Sequence, residues 1–244
     1  MITEDERKRY VRQSLTLGEA GQERLKSARV LVAGAGGLGT VISLYLAAAG
    51  VGHLRIVDCD VVEPSNLNRQ ILHWNDDIGR QKTASVEEKL AALNPLICIE
   101  PIHGRIAEEN IDEMTRGCDL IVDAMDNFPT RYLLNRAAVQ GGIPFIHGAV
   151  RGFFGQVTTI LPGKTPCLRC LFHAPPPQAP CPILGATCGV IGSIEATEAI
   201  KLITGQGAPL AGRLFIWDGL ALSADTVAVA RDPACPVCRV HEGA

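Results

Sequence analysis

The sequence lacks any apolar run long enough to cross a bilayer. Its longest apolar stretch, residues 41–51, is interrupted by Ser43 and Gly50, whereas a spanning helix needs about 20 apolar residues. A secretory leader is missing as well: the chain starts Met-Ile-Thr-Glu-Asp-Glu-Arg-Lys, charged and without an apolar core. Positive charge is not in excess. The formal net charge of −3 gives no bulk field to draw the chain to nucleic acid or anionic membrane. Internal repeats and composition breaks that would mark a linker are also absent. These gaps point to a cytoplasmic protein of one domain, with neither nucleic acid nor membrane as a partner.

What is present suits a large globular core. The chain has 244 residues, 47% apolar and 20% charged. Helices are expected over residues 4–13 and 18–26, then a buried strand over 29–33, a helix to Ala49 and a strand over 53–57. Helix 79–93, with Val86, Leu90 and Leu93 on one face, strand 97–102, helix 108–116, strand 120–123, helix 129–140 and strand 144–149 continue the alternation. Strands alternating with helices of this length predict an α/β fold with a doubly wound, mainly parallel, Rossmann-like sheet. After Gly148 the rhythm changes. Segments 156–161, 213–217 and 225–229 read as antiparallel strands that extend the sheet. A proline-rich loop over 173–187 separates them, followed by a helix over 189–203 with Ile191, Ile194, Ala199, Leu202 and Ile203 as core residues. The expected division is a nucleotide-binding half, 1–150, and a second half, 151–244, within one domain.

Gly34-Ala-Gly36-Gly37-Leu-Gly39 follows the first strand and opens a helix. Glycines there allow a tight turn and let phosphate approach backbone N–H groups at the positive end of the helix. Asp58 ends the second strand, where a ribose-binding acid belongs. This pattern alone does not separate NAD from ATP.

The next polar segment bears on that choice. Asp58-Cys-Asp60 leads to Glu63-Pro-Ser65-Asn66-Leu-Asn68-Arg69-Gln70, just past a strand's carboxyl end, and Lys82 opens the following helix. Asp126-Asn127 lies beyond strand 120–123, at the same edge of the sheet. A nicotinamide enzyme has no evident use for Arg69 and Lys82 beside phosphates, whereas a departing pyrophosphate needs its charge neutralised. Asp126 suits Mg2+, a hard cation that prefers carboxylate and water. Asp60 and Glu63 read equally well as structural residues.

Arg9-Tyr-x-Arg12-Gln13, the glycine loop, Asp58-x-Asp60, Ser65-Asn66-Leu-x-Arg69-Gln70, Gly79-x-x-Lys82 and Asp126-Asn127 together resemble the ThiF/MoeB/HesA family, bacterial relatives of the ubiquitin-activating enzymes, from Arg9 to Cys238. The resemblance implies an adenylyltransferase. Its substrates would be ATP with Mg2+ and the C-terminal glycine carboxylate of a ubiquitin-like sulfur-carrier protein of ThiS/MoaD type, ending in Gly-Gly. Gly37 and Asp58 would hold the adenosine side. Asn66, Arg69 and Lys82 would meet phosphates, and Asp126 would take Mg2+ beside the α-phosphate. Arg12 would reach the ATP of the other subunit, so the enzyme would be a homodimer.

Nine cysteines is an odd and high number for a reducing compartment, which favours metal or catalysis over disulfides. Cys167-x-x-Cys170 and Cys235-x-x-Cys238 form two knuckles whose four thiolates suit one structural Zn2+ site. Cys59, Cys98 and Cys118 lie in or beside strands and are expected as buried packing residues. Relatives often carry, in the proline-rich loop, a cysteine that bonds to the carrier. Cys181 is the candidate, although it sits a few residues later than usual. Cys188 is expected to abut the following helix, whose dipole would lower its pKa.

Other functions compete. A relative that adenylates a carboxylate on tRNA would want a basic surface, which the net charge opposes. An NAD-binding oxidoreductase fits the glycine loop alone. A non-catalytic partner subunit would have lost phosphate ligands, and this chain keeps Arg12, Asn66, Arg69, Lys82 and Asp126.

Overall fold

The computed structural model describes residues 1–175 and 181–241. The first strand, β1 (Arg29–Ala33), is buried from Val30 onward, as its unbroken apolar run requires of a strand covered on both faces. Helix α3 (Gly37–Ala49) follows and stops at Gly50, whose φ of 84° ends the helix with a left-handed residue. Then come β2 (His53–Asp58), α4 (Lys82–Leu93), β3 (Cys98–His103), the short α5 (Ile111–Thr115), β4 (Leu120–Asp123), α6 (Phe128–Gly141) and β5 (Phe145–Arg151). Strands β6 (Phe154–Ile160), β7 (Arg213–Asp218) and β8 (Ser223–Ala228) complete one eight-stranded sheet in the order β3-β2-β1-β4-β5-β6-β7-β8. Neighbours from β3 to β5 pair parallel, and those from β5 to β8 antiparallel. This is the doubly wound sheet with an antiparallel extension expected from the sequence.

Alternate residues of the central strands face opposite layers. Val30, Val32, Leu54, Ile56, Leu120 and Val122 pack with α3, α4 and α8 (Gly185–Thr204). Leu31, Ala33, Val57, Ile121 and Phe145 pack with α5, α6 and the short α7 (Leu168–Leu171). The chain runs outward through β1, β2 and β3, then returns past β1 to β4 and β5. The reversal leaves a crevice beyond the carboxyl ends of β1 and β4, where open α/β sheets bind ligands.

Several boundaries differ from the sequence reading. The first helices are α1 (Glu4–Arg9) and α2 (Val11–Ser27), the latter kinked at Gly18 with φ 68°. Thr3 and Glu6 form a reciprocal cap that starts α1. Helix α4 begins at Lys82, because Gly79 (φ 85°) is in a turn. On that helix Val86 and Leu90 are buried but Leu93, its last residue, is exposed although it shares their face. Helix α8 begins at Gly185, so the irregular stretch is shorter than residues 173–187, and its residues 176–180 lie outside the described ones. Among the described residues, no helix is long and apolar enough to cross a membrane.

Candidate nucleotide site and metal centre

The glycine loop is fixed by close backbone contacts. Gly34 has φ +107°, and a Cβ there would lie 2.7 Å from the Ala124 carbonyl oxygen at the end of β4. A Cβ on Gly39 would lie 1.9 Å from the Gly34 oxygen. The loop therefore closes on itself and against β4, with no room for side chains. Asp58 holds it from the next strand, its Oδ2 accepting from Ala35 N–H at 2.7 Å and its Oδ1 from Asp60 N–H at 2.8 Å. Each carboxylate oxygen keeps acceptor capacity for a ribose hydroxyl. No side chain caps the start of α3, so its first N–H groups and the dipole's positive end face the crevice.

The surrounding polar residues converge on this loop through the chain. Arg69 is half-buried. Its Nη1 donates to the Ser65 carbonyl at 2.8 Å and to Asn68 Oδ1 at 3.1 Å, and its stem lies beside Gly37. Asn66 is buried and its Oδ1 accepts from Glu63 N–H at 3.1 Å, while Ser65 is exposed and donates to Glu63 Oε2 at 3.4 Å. Lys82 is buried at the first position of α4, where the helix dipole disfavours a cation. Its Nζ donates to Asp60 Oδ2 at 2.8 Å, and that bond holds the Asp60 carboxyl below the usual range. Asp60 thus has a defined partner, in keeping with its structural reading. Asp126 is exposed beyond β4 and accepts from Asn127 Nδ2 at 3.3 Å. The Asn127 side chain caps α6, accepting from Thr130 N–H at 3.0 Å. Arg12 stands apart, exposed on α2 with no bond to the others.

Two further residues belong to this wall: Gln70, quoted in the motif without a role, and His73, which escaped the sequence reading. Gln70 is buried beside Gly36, with its Oε1 unpartnered. An orphaned acceptor beside uncapped N–H groups fits a polar ligand better than a closed core. His73 bridges the Ala35 carbonyl (2.9 Å) and the Ser85 hydroxyl (2.9 Å). Burial lowers its pKa, so the neutral ring donates through Nε2 and steadies the loop.

A second polar cluster lies under the β4–β5 edge. Asp123, His147 and Glu195 are fully buried and Arg131 nearly so. Asp123 Oδ2 meets His147 Nδ1 at 2.7 Å and Arg131 Nε at 3.4 Å. Burial pushes His147 down, and it pushes the Glu195 carboxyl well above the usual glutamate range. Both oxygens of Glu195 lack partners and pack against Gly148. This cluster has no signature in the sequence, because charged residues on helices and at strand ends alike are usually solvated.

The four knuckle cysteines come together. Cys167 Sγ lies 3.6 Å from Cys235 Sγ and 4.0 Å from Cys170 Sγ, and Cys170 Sγ lies 3.4 Å from Cys238 Sγ. All four are buried, with their sulfurs within 4.8 Å of one another. Zn–S bonds of about 2.3 Å in a tetrahedron separate sulfurs by about 3.8 Å, so the cage fits Zn2+. Burial pushes the Cys167 thiol up to about 11, and a bound cation is what lets such sulfurs persist together as thiolates. Asp126 offers one carboxylate, and among the described residues it belongs to no cluster of three or more potential metal ligands. That donor set fits Mg2+, which keeps most of its waters and shares phosphate oxygens.

The remaining cysteines correct the sequence reading. Cys59 and Cys98 are exposed and Cys118 half-buried. Cys59 lies in the turn beyond β2, and Cys98 opens the outer strand β3, where one side has no neighbouring strand. Cys188 lies inside the first turns of α8, not before it, because Gly185 lets the helix start close against Asn68 and Arg69. Its sulfur is buried against Gly37, and burial pushes its thiol up to about 11 rather than down. Cys181 is exposed, 3.7 Å from the Val150 carbonyl.

The profile of the ThiF family matches residues 10–237. The chain is 47% identical to the SAMP-activating enzyme E1 of Haloferax volcanii over 91% of its own length and 84% of the relative's. It is also 47% identical to the sulfur carrier protein adenylyltransferase of Thermus thermophilus, over 97% of this chain and 92% of that one. The structure is similar to that of E. coli MccB with ATP, at a TM-score of 0.86 and 25% identity, covering 95% of this chain and 74% of that chain.

Proposed function

Because the chain belongs to the ThiF family, we propose that it is an ATP-dependent adenylyltransferase for the C-terminal glycine carboxylate of a ubiquitin-like sulfur-carrier protein. The observation that carries this reading is near-full-length identity of 47% to a sulfur carrier protein adenylyltransferase. In the reaction a carboxylate oxygen bonds to the α-phosphorus, the bond from that phosphorus to the bridging oxygen breaks, and pyrophosphate leaves. The chain contributes position and charge more than covalent chemistry. The glycine loop and Asp58 hold the nucleoside end. Asn66, Arg69 and Lys82 meet the phosphates, with Lys82 exchanging Asp60 for a phosphate oxygen. Asp126 would hold Mg2+, which would supply positive charge at the transferring phosphate. Arg12, exposed and unengaged among the described residues of its own chain, serves the partner's site in a homodimer. The half from residue 151 onward receives the carrier, and Cys181 is the thiol placed to bond with it. Zn2+ at Cys167, Cys170, Cys235 and Cys238 is structural. Nine unpaired cysteines suit the reducing cytoplasm.

ATP–pyrophosphate exchange with carriers ending in Gly-Gly tests this reading. Lys82→Ala and Asp126→Ala are each expected to slow exchange about 100-fold. Undiminished exchange in either variant would remove that residue from the mechanism, and no exchange with any such carrier would remove the substrate class.

A further inference from the structure

Asp126 sits on an exposed turn, yet the reaction read for this site needs its carboxylate aimed with little freedom. The turn runs from β4 into α6, and two buried side chains grip it. Asp123 Oδ1 accepts from Met125 N–H at 3.0 Å. Arg131 Nη2 donates to the Met125 carbonyl at 2.5 Å. The residue immediately before Asp126 is therefore held at both its N–H and its carbonyl. The two gripping groups also meet each other, Arg131 Nε lying 3.4 Å from Asp123 Oδ2. They are anchored to the next strand as well: Asp123 through His147 at 2.7 Å, and Arg131 through the Gly148 carbonyl at 3.4 Å. The Phe128 ring lies 5.3 Å from the guanidinium. Ala124 N–H completes the hold by donating to the Ala33 carbonyl of β1 at 2.9 Å. Among the described residues Asp126 itself has only the Asn127 amide as partner, so its direction is set by the backbone beneath it.

We propose that Asp123 and Arg131 act as positioning residues, clamping Met125 so that the Asp126 carboxylate is pre-aimed at the metal and α-phosphate. The inference rests on the adenylation reading and extends it to residues that touch neither substrate. Burying two opposite charges is costly. Neutral, apolar packing would hold α6 to β4 at least as well. What it would lack is a paired acceptor and donor in register with the N–H and the carbonyl of one residue, Met125. Supports of this kind typically set metal affinity and activity by about 10–100-fold.

Arg131→Lys, which keeps charge but loses the fork, and Asp123→Asn, which keeps an acceptor but loses charge, test the proposal in the zinc-loaded full chain. Hydrogen exchange at residues 124–128 without nucleotide should rise about tenfold in both variants, with β1 and α3 unchanged. Mn2+ affinity, read by electron paramagnetic resonance with a non-hydrolysable ATP analogue, should fall about tenfold. In exchange assays the Mg2+ half-saturation should rise while the carrier KM holds. Unchanged exchange protection and Mn2+ affinity would overturn the proposal. So would a rise in hydrogen exchange across the whole sheet, which would mark a merely structural pair. If the wild-type chain adenylates no carrier, the functional reading fails, while the protection measurement still judges the clamp.

Discussion

Burial holds the Glu195 carboxyl protonated to higher pH than most glutamates. It lies fully buried on α8 between the sheet and the Asp123 charge, with both oxygens unpartnered. Burial first, and then Asp123, raise its pKa well above the model-peptide value of 4.5, against a smaller opposing pull from Arg131. The unfolded chain gives up this proton above pH of about 4.5 while the folded chain keeps it, so the native state binds more protons and stability falls as pH rises. His73 and His147 act in the other direction. Their lowered pKa values cost stability only as pH drops below the ordinary histidine range. Glu195→Gln should therefore flatten the decline of stability that sets in as pH rises above about 4.5, by up to one proton, about 1.4 kcal/mol per pH unit. Urea unfolding of both proteins across that range checks it; parallel slopes would show that Glu195 ionises in the fold. Nothing in the sequence marks this residue, because its burial depends on Gly148 across the layer.

At the level of elements, the strands were largely legible. Unbroken apolar runs such as 29–33 and 120–123 predict buried parallel strands, and β1 and β4 form there. Helix starts were harder. Gly189 looks like a boundary, yet α8 runs through it, since tertiary contact of Gly185 with the 68–69 backbone decides where the helix begins. The same limit explains Cys188, whose burial against Gly37 joins two segments far apart in sequence. The glycine loop was legible as a motif, and its individual demands were not. Gly39 is the sharpest of them, with a Cβ position 1.9 Å from the Gly34 oxygen. Gly39→Ala should push α3 away from β1, costing about 2–4 kcal/mol of stability and abolishing nucleotide binding. Calorimetry with ATP and a melting curve measure both; a variant that binds ATP normally would show that the loop yields freely.

On the scale of the whole molecule, one sheet carries every strand of the described residues, and the cysteine cage closes the chain's last described turn onto the α6 layer. Paired CxxC knuckles made that closure legible in sequence, whereas the clamp under Asp126 depends on which layer each strand residue faces. Chelating the zinc should lower Tm by roughly 10 °C, with metal content measured alongside; an unchanged Tm on full zinc removal would show that the cage does not staple the fold.

Cys167 and Cys235 stand 68 positions apart in the chain, with α8 and two strands between them. A cross-link of that span turns a linear tail into part of a ring, so its opening is a topological event rather than a local one. Metal loss would then be recorded as a cutting pattern: a trypsin cut at Arg231, inside the ring, should release the C-terminal fragment that carries Cys235 and Cys238 only after the ring is broken.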